Sequence, residues 1–190
     1  KRALLKNIRA DCAPDLRQAS LNLLTSLGEL PTQEANSAVQ RAQQAINSNS
    51  SSDDWRQDAL TFLGIADPNR YQSQFLSALN PQYSSNLQNE ALQMLRRTKG
   101  VAPCQSLLTR WASFTPQVRE NAVNVFLTEP ERTHLLLAAV EQNQIDQSTV
   151  GWRRTVHLMN HDDDRIRTAA RRVFARWQFI WSRFIYGKEP

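Results

Sequence analysis

Apolar residues recur along this chain at helical spacing, and one arrangement of them occurs five times. Leu16-Arg17 leads to Ser20, Leu21, Leu23 and Leu24, and Trp55-Arg56 leads to Ala59, Leu60, Phe62 and Leu63. Leu87-Gln88 leads to Ala91, Leu92, Met94 and Leu95, and Val118-Arg119 to Ala122, Val123, Val125 and Phe126. Ile166-Arg167 leads to Ala170, Val173 and Phe174. The template is a large apolar residue, usually an arginine next, a small residue four positions after the first, then a bulky cluster. The first apolar residues lie 39, 32, 31 and 48 positions apart. A repeat of roughly 30–50 residues with a helical period predicts a solenoid of stacked helix pairs. No run of alternating β-branched residues is long enough to predict a strand.

Proline punctuates the pattern. Pro14, Pro31, Pro68, Pro81, Pro103, Pro116 and Pro130 fall between the apolar segments, where a residue that cannot continue a helix still fits its first turn. The expected pairs are 2–10 with 15–27, 32–46 with 54–65, 68–79 with 85–97, and 102–114 with 116–127. Gly28 suits a left-handed cap for the first pair. The fifth pair is irregular: helices over 131–141 and 152–159, separated by turn-rich residues 142–151, precede the helix opened by Asp162, Asp163 and Asp164. Aspartates there cap free N–H groups and offset the helix dipole. The expected fold is all-α: an α-α superhelix of about five helical hairpins, forming one domain over residues 1–190.

In such a stack no hairpin buries its apolar face alone. The small residues Ser20, Ala59, Ala91, Ala122 and Ala170 are expected where helices cross closely. The recurring arginine is expected to reach acidic groups or free carbonyls of the neighbouring hairpin. Trp55 and Trp111 fall on core-facing positions, and Cys104 shares a face with Val101, Leu107, Leu108 and Trp111, as a buried thiol does.

The apolar-Arg-x-x-small pattern after a Pro or Asp turn resembles HEAT repeats (the armadillo-like class of helical solenoid) and covers nearly the whole chain. A narrower likeness lies in the C-terminal third: Leu135-Leu136-Leu137-Ala138-Ala139-Val140-Glu141, Gln144-Ile145-Asp146, Trp152 through Asp162, and Arg165 through Ala170. These segments are similar to the helical part of large planctomycete and verrucomicrobial haem-binding proteins. In that family a β-propeller resembling sugar dehydrogenases comes first and a cytochrome-c-type domain with a CxxCH motif comes last. The resemblance implies that this chain is the helical middle piece of an extracytoplasmic protein. The chain has neither a propeller sequence nor a CxxCH, so haem binding and dehydrogenase activity transfer to no residue here.

Composition narrows the functional classes. The chain has 190 residues with 41% apolar residues, a globular composition, and no run long and apolar enough to cross a bilayer. It begins at Lys1 rather than at a methionine, as a piece of a longer protein does. The net charge of +5 is uneven: residues 1–150 hold 14 basic and 14 acidic residues, and residues 151–190 hold nine and four. Cys12 and Cys104 form no metal or disulfide pattern. His157 and His161 are four apart, but a helix end followed by an aspartate cap explains them without a metal, because no third ligand is spaced to join them. His134 stands alone. No nucleophile elbow, phosphate loop or dinucleotide motif is present, so the expectation is no catalytic, cofactor or metal residue.

The expected function is a non-catalytic scaffold that positions neighbouring domains of the same protein, or another protein. Its expected working surface is the C-terminal end, where Arg153, Arg154, Arg171, Arg172 and Arg176 supply charge and Trp177 and Trp181 supply apolar area. The rival from another class is a DNA-binding HEAT-like module or an alkylpurine DNA glycosylase, motivated by the basic end and the tryptophans. It requires a basic concave groove with a carboxylate and aromatics, whereas the excess charge lies at one end of the sequence. No specific nucleic-acid partner and no membrane insertion are expected.

Overall fold

The computed structural model describes residues 1–28, 30, 32–48 and 50–186; the side chains of 32–34 and 176–186 lie outside the description. All regular structure among the described residues is helical. The elements are α1 (Arg2–Lys6), α2 (Pro14–Ser26), α3 (Thr32–Asn47), α4 (Asp53–Ala66), α5 (Gln72–Ser77), α6 (Ser85–Arg97), α7 (Ala102–Thr109), α8 (Pro116–Phe126), α9 (Pro130–Glu141), α10 (Gln147–Val150), α11 (Trp152–Met159) and α12 (Asp164–Tyr186), with a 3-10 turn at Trp111–Ser113. The all-α expectation therefore holds.

Local chemistry sets the ends of these helices. Ser52 and Ser84 accept hydrogen bonds from the backbone N–H groups of Trp55 and Leu87, capping α4 and α6. Asp163 Oδ1 accepts from the N–H groups of Arg165 and Ile166 at the start of α12, as its aspartate run predicts. Proline opens α2, α8 and α9, supplying a fixed φ where no N–H is needed. After α2, Gly28 takes φ +68°, the left-handed conformation expected of it.

Four elements differ from the periodicity. The first helix, expected over 2–10, ends at Lys6, where the Asn7 N–H caps it on Leu4 O and Leu5 O. Asp67 caps a turn, its Oδ1 accepting from Asn69 and Arg70 N–H, so α5 starts only at Gln72. The segment predicted as 102–114 breaks at Arg110, where α7 gives way to the 3-10 turn. Within the turn-rich stretch 142–151, Asp146 accepts from Ser148 N–H and starts the single helical turn α10.

The chain forms two compact units, one of residues 1–99 and 113–118, the other of 100–112 and 119–190. In the first, α4 is the hub: it packs against α2, α3 and α6, while α1 packs against α2 and α3, and α5 against α6. In the second, α12 packs against α9 and α11, and α7 packs against α9.

The template residues fall into one register. The first apolar residue is the third of its helix in α2, α4, α6, α8 and α12, the arginine or glutamine is the fourth, and the small residue is the seventh. All five small residues are buried. The close approach of α4 and α6 shows at Gly64, where an added Cβ would lie 2.2 Å from Met94 Sδ.

The fourth-position side chain does one job five times. Arg17 Nη1 donates to the carbonyls of Arg9 and Cys12. Arg56 Nη2 donates to Ser48 O at 2.7 Å, Gln88 Nε2 to Asn80 O at 2.8 Å, and Arg119 to Trp111 O and Ala112 O at 3.0 and 2.9 Å. Arg167 Nη1 donates to His161 O and Asp162 O. Each of these carbonyls lies between the two helices of the donor's own pair. The sequence-based expectation of a neighbouring hairpin is thus met only by Arg17, which also reaches Asp58 of α4. The carbonyls belong to the connection rather than to the helix end, and the acids in the first turn of α2, α4 and α12 offset the cation's place near the next helix's start.

Two outcomes test this packing and capping. Ala170 is fully buried, so Ala170→Leu overpacks the site and lowers stability by about 1–3 kcal/mol in denaturant melts. The backbone N–H bonds on Asp163 hold its carboxyl below its usual value of 3.8. Its stabilising share is therefore complete above that value and lost as pH falls through the depressed one. In melts across pH, the gap between wild type and Asp163→Asn closes on the acid side.

Candidate functional site

Buried charge is the first place to look for chemistry, and the first unit holds a concentrated example. Arg17 on α2 is 2% exposed and pairs through Nε with the equally buried Asp58 Oδ2 on α4. Gln18 Nε2 donates to the other carboxylate oxygen at 2.7 Å. The Arg17 guanidinium lies 5.2 Å from the Trp55 ring centroid, within cation–π range. Burial pushes the Asp58 carboxyl above its usual value; Arg17 and then Gln18 oppose that shift, and Asp54 adds to it. Both carboxylate oxygens are occupied and the group is sealed from solvent, so the cluster fastens two hairpins and offers no reactive acid.

The C-terminal candidates divide. Arg153 is exposed on α11, next to Trp152, which is 46% exposed. Arg154 donates to Asn124 Oδ1 and to Val150 O, Arg171 to Met159 O, and Arg172 to Glu141 Oε2 at 3.1 Å. These three spend at least one donor inside the second unit. Arg176, Trp177 and Trp181 sit on α12, and their side chains lie outside the described residues.

The histidine pair and the cysteines are held in structural contacts. The His157 and His161 rings meet edge to face at 5.9 Å, and His161 Nδ1 accepts from the Asp163 N–H, which takes that nitrogen out of use as a ligand. Among the described residues no group of three His, Cys, Asp or Glu side chains is arranged to hold a metal ion. Cys12 and Cys104 are both buried, and burial pushes the Cys104 thiol up to about 12, so it is a packing residue.

One surface was not expected. Leu16, Leu23 and Leu27 are about half exposed, at 51%, 53% and 49%. Leu16 and Leu23 lie seven positions apart on one side of α2, and Leu27, four further on, is its C-cap residue. The template assigned Leu16 and Leu23 to the core, and in the later repeats the matching first apolar residues Trp55, Leu87, Val118 and Ile166 are buried. The periodicity alone does not distinguish these positions from the buried ones of the other second helices.

No family model, curated protein or solved structure matches this chain. Among the described residues no helix is long and apolar enough to cross a membrane.

The buried pair yields a sharp expectation. Asp58→Asn leaves Arg17 as a charge without a counter-charge in the core, and loses about 3–5 kcal/mol of stability in urea melts.

Proposed function

We propose that the chain is a non-catalytic HEAT-like helical scaffold that positions neighbouring domains. The observation that carries the interaction reading is the half-exposed row Leu16, Leu23 and Leu27 on α2, apolar area of the kind that a further packed element covers. Support for the repeat architecture comes from the common register of the five second helices, with a donor at the fourth position and a buried small residue at the seventh. On the family likeness of residues 135–170, the scaffold is the spacer between a dehydrogenase-like β-propeller and a cytochrome-c-type domain, in an extracytoplasmic protein. In that reading the exposed Trp152 and Arg153, with Arg176, Trp177 and Trp181 beyond them, belong to the surface that meets the following domain.

The glycosylase alternative requires an accessible carboxylate beside aromatics. Asp58, beside the Arg17–Trp55 contact, is 3% exposed with both oxygens occupied, which favours the scaffold reading. The complete open reading frame tests the proposal most cheaply. A propeller before this segment and a CxxCH domain after it are expected; a reading frame encoding this segment without either removes the spacer role. The scaffold reading is tested separately by Trp181→Ala. Unchanged melting of the isolated segment with weakened binding to the following domain is expected, and a large loss of stability with unchanged binding contradicts it.

A further inference from the structure

Helix α2 carries a stripe that the described fold leaves bare. Leu16 and Leu23 are 51% and 53% exposed, and Ala19 and Ser26 are exposed as well. The four follow one another at spacings of three, four and three, so they form one seam along the helix. Leu27, the C-cap residue, extends the apolar area at one end. Ser20, Leu21 and Leu24 are buried on the side of α2 that packs against α1 and α4. The seam also carries no charge. From Leu16 to Leu27 the one charged residue is Arg17, and it is buried against Asp58. Asp15, exposed in the first turn, is the other charged residue of α2. The hydroxyl in the seam is already satisfied, since Ser26 Oγ donates to Asn22 O at 3.1 Å.

We propose that this seam pairs with the same seam of a second copy of the chain, the two α2 helices running antiparallel about a twofold axis. Three features select that occupant. A spacing of three, four and three reads the same in both directions, and a twofold interface needs a surface complementary to itself. In the antiparallel register each layer sets a large residue against a small one: Leu16 against the partner's Ser26, and Leu23 against the partner's Ala19. That alternation lets two helices interdigitate closely without overpacking. A charged partner loses hydration against a face that offers it no counter-charge, whereas a second copy of this face brings no charge to bury. A seam on a single helix falls at the small end of specific interfaces, so the pair is reversible. The inference rests on the scaffold reading of this row as an interaction surface and supplies its occupant; the Trp181 and reading-frame tests of that reading do not depend on it.

The test is sedimentation velocity of the whole chain from micromolar to millimolar concentration. The expected result is a reversible equilibrium in which the dimer fraction rises with concentration and assembly stops at two copies. Leu16→Glu/Leu23→Glu, two substitutions at surface positions, weakens association by more than about tenfold. A second measurement does not depend on how that variant folds. Chains carrying Ala19→Cys and chains carrying Leu23→Cys are mixed and mildly oxidised. The mixture is expected to form a disulfide-linked dimer faster than either variant alone, because position 19 meets position 23 across the axis while each lies away from its own copy. The native Cys12 and Cys104 are buried and stay out of the reaction. A chain that stays monomeric at every concentration overturns the proposal; that is the result if the face is kept for another protein or for another segment of its own polypeptide. Dimers that persist in Leu16→Glu/Leu23→Glu, growth beyond two copies, or cross-linking no faster in the mixture than in the single variants overturn it as well.

Discussion

Each second helix of this protein holds its own incoming turn by one side chain. In α2, α4, α6, α8 and α12 the fourth residue folds back and donates to carbonyls that follow the preceding helix. A connection between helices leaves backbone carbonyls outside any helical ladder. A guanidinium reaches two of them at once, as Arg119 does with Trp111 O and Ala112 O. Gln88 does the same work on a single carbonyl without charge. The donor is the common requirement, and the positive charge adds to it.

The seventh residue of each second helix, Ser or Ala in all five, is buried. Where α4 crosses α6, even a methyl group on Gly64 collides with Met94. In the first pair the donor has a second duty. Arg17 caps the Cys12 carbonyl and also holds Asp58, so the turn of one hairpin and the packing of the next depend on the same buried group. Trp55 and Gln18 complete its surroundings. Breaking this pair is costly although forming it contributes little net stability, because the penalty lies in the charge left behind.

The sequence made the helices legible because every second helix repeats its register and begins with Pro, Ser or Asp chemistry. It made the buried small residues and the core tryptophans Trp55 and Trp111 legible for the same reason. The shortening of α5 was not visible, since Asp67 caps equally well a helix or a turn, and the backbone chose the turn. The partner of the recurring arginine was not visible either, because reach alone does not distinguish a donor's own turn from its neighbour's. The exposed row on α2 was hidden by its similarity to core positions in the other second helices, because Leu16 and Leu23 read the same whether covered or bare.

The central claim is that the fourth position supplies hydrogen-bond donation to the inter-helix turn, to which a positive charge only adds. Urea melts of Arg119→Ala and Arg119→Gln compare the two directly. Arg119→Ala is expected to lose about 1.5–3 kcal/mol, the range for hydrogen bonds to charged groups. Arg119→Gln, imitating Gln88, is expected to recover about 0.5–1.5 kcal/mol of that, the range for a neutral one. Equal losses for the two variants, or no loss for either, contradict the account.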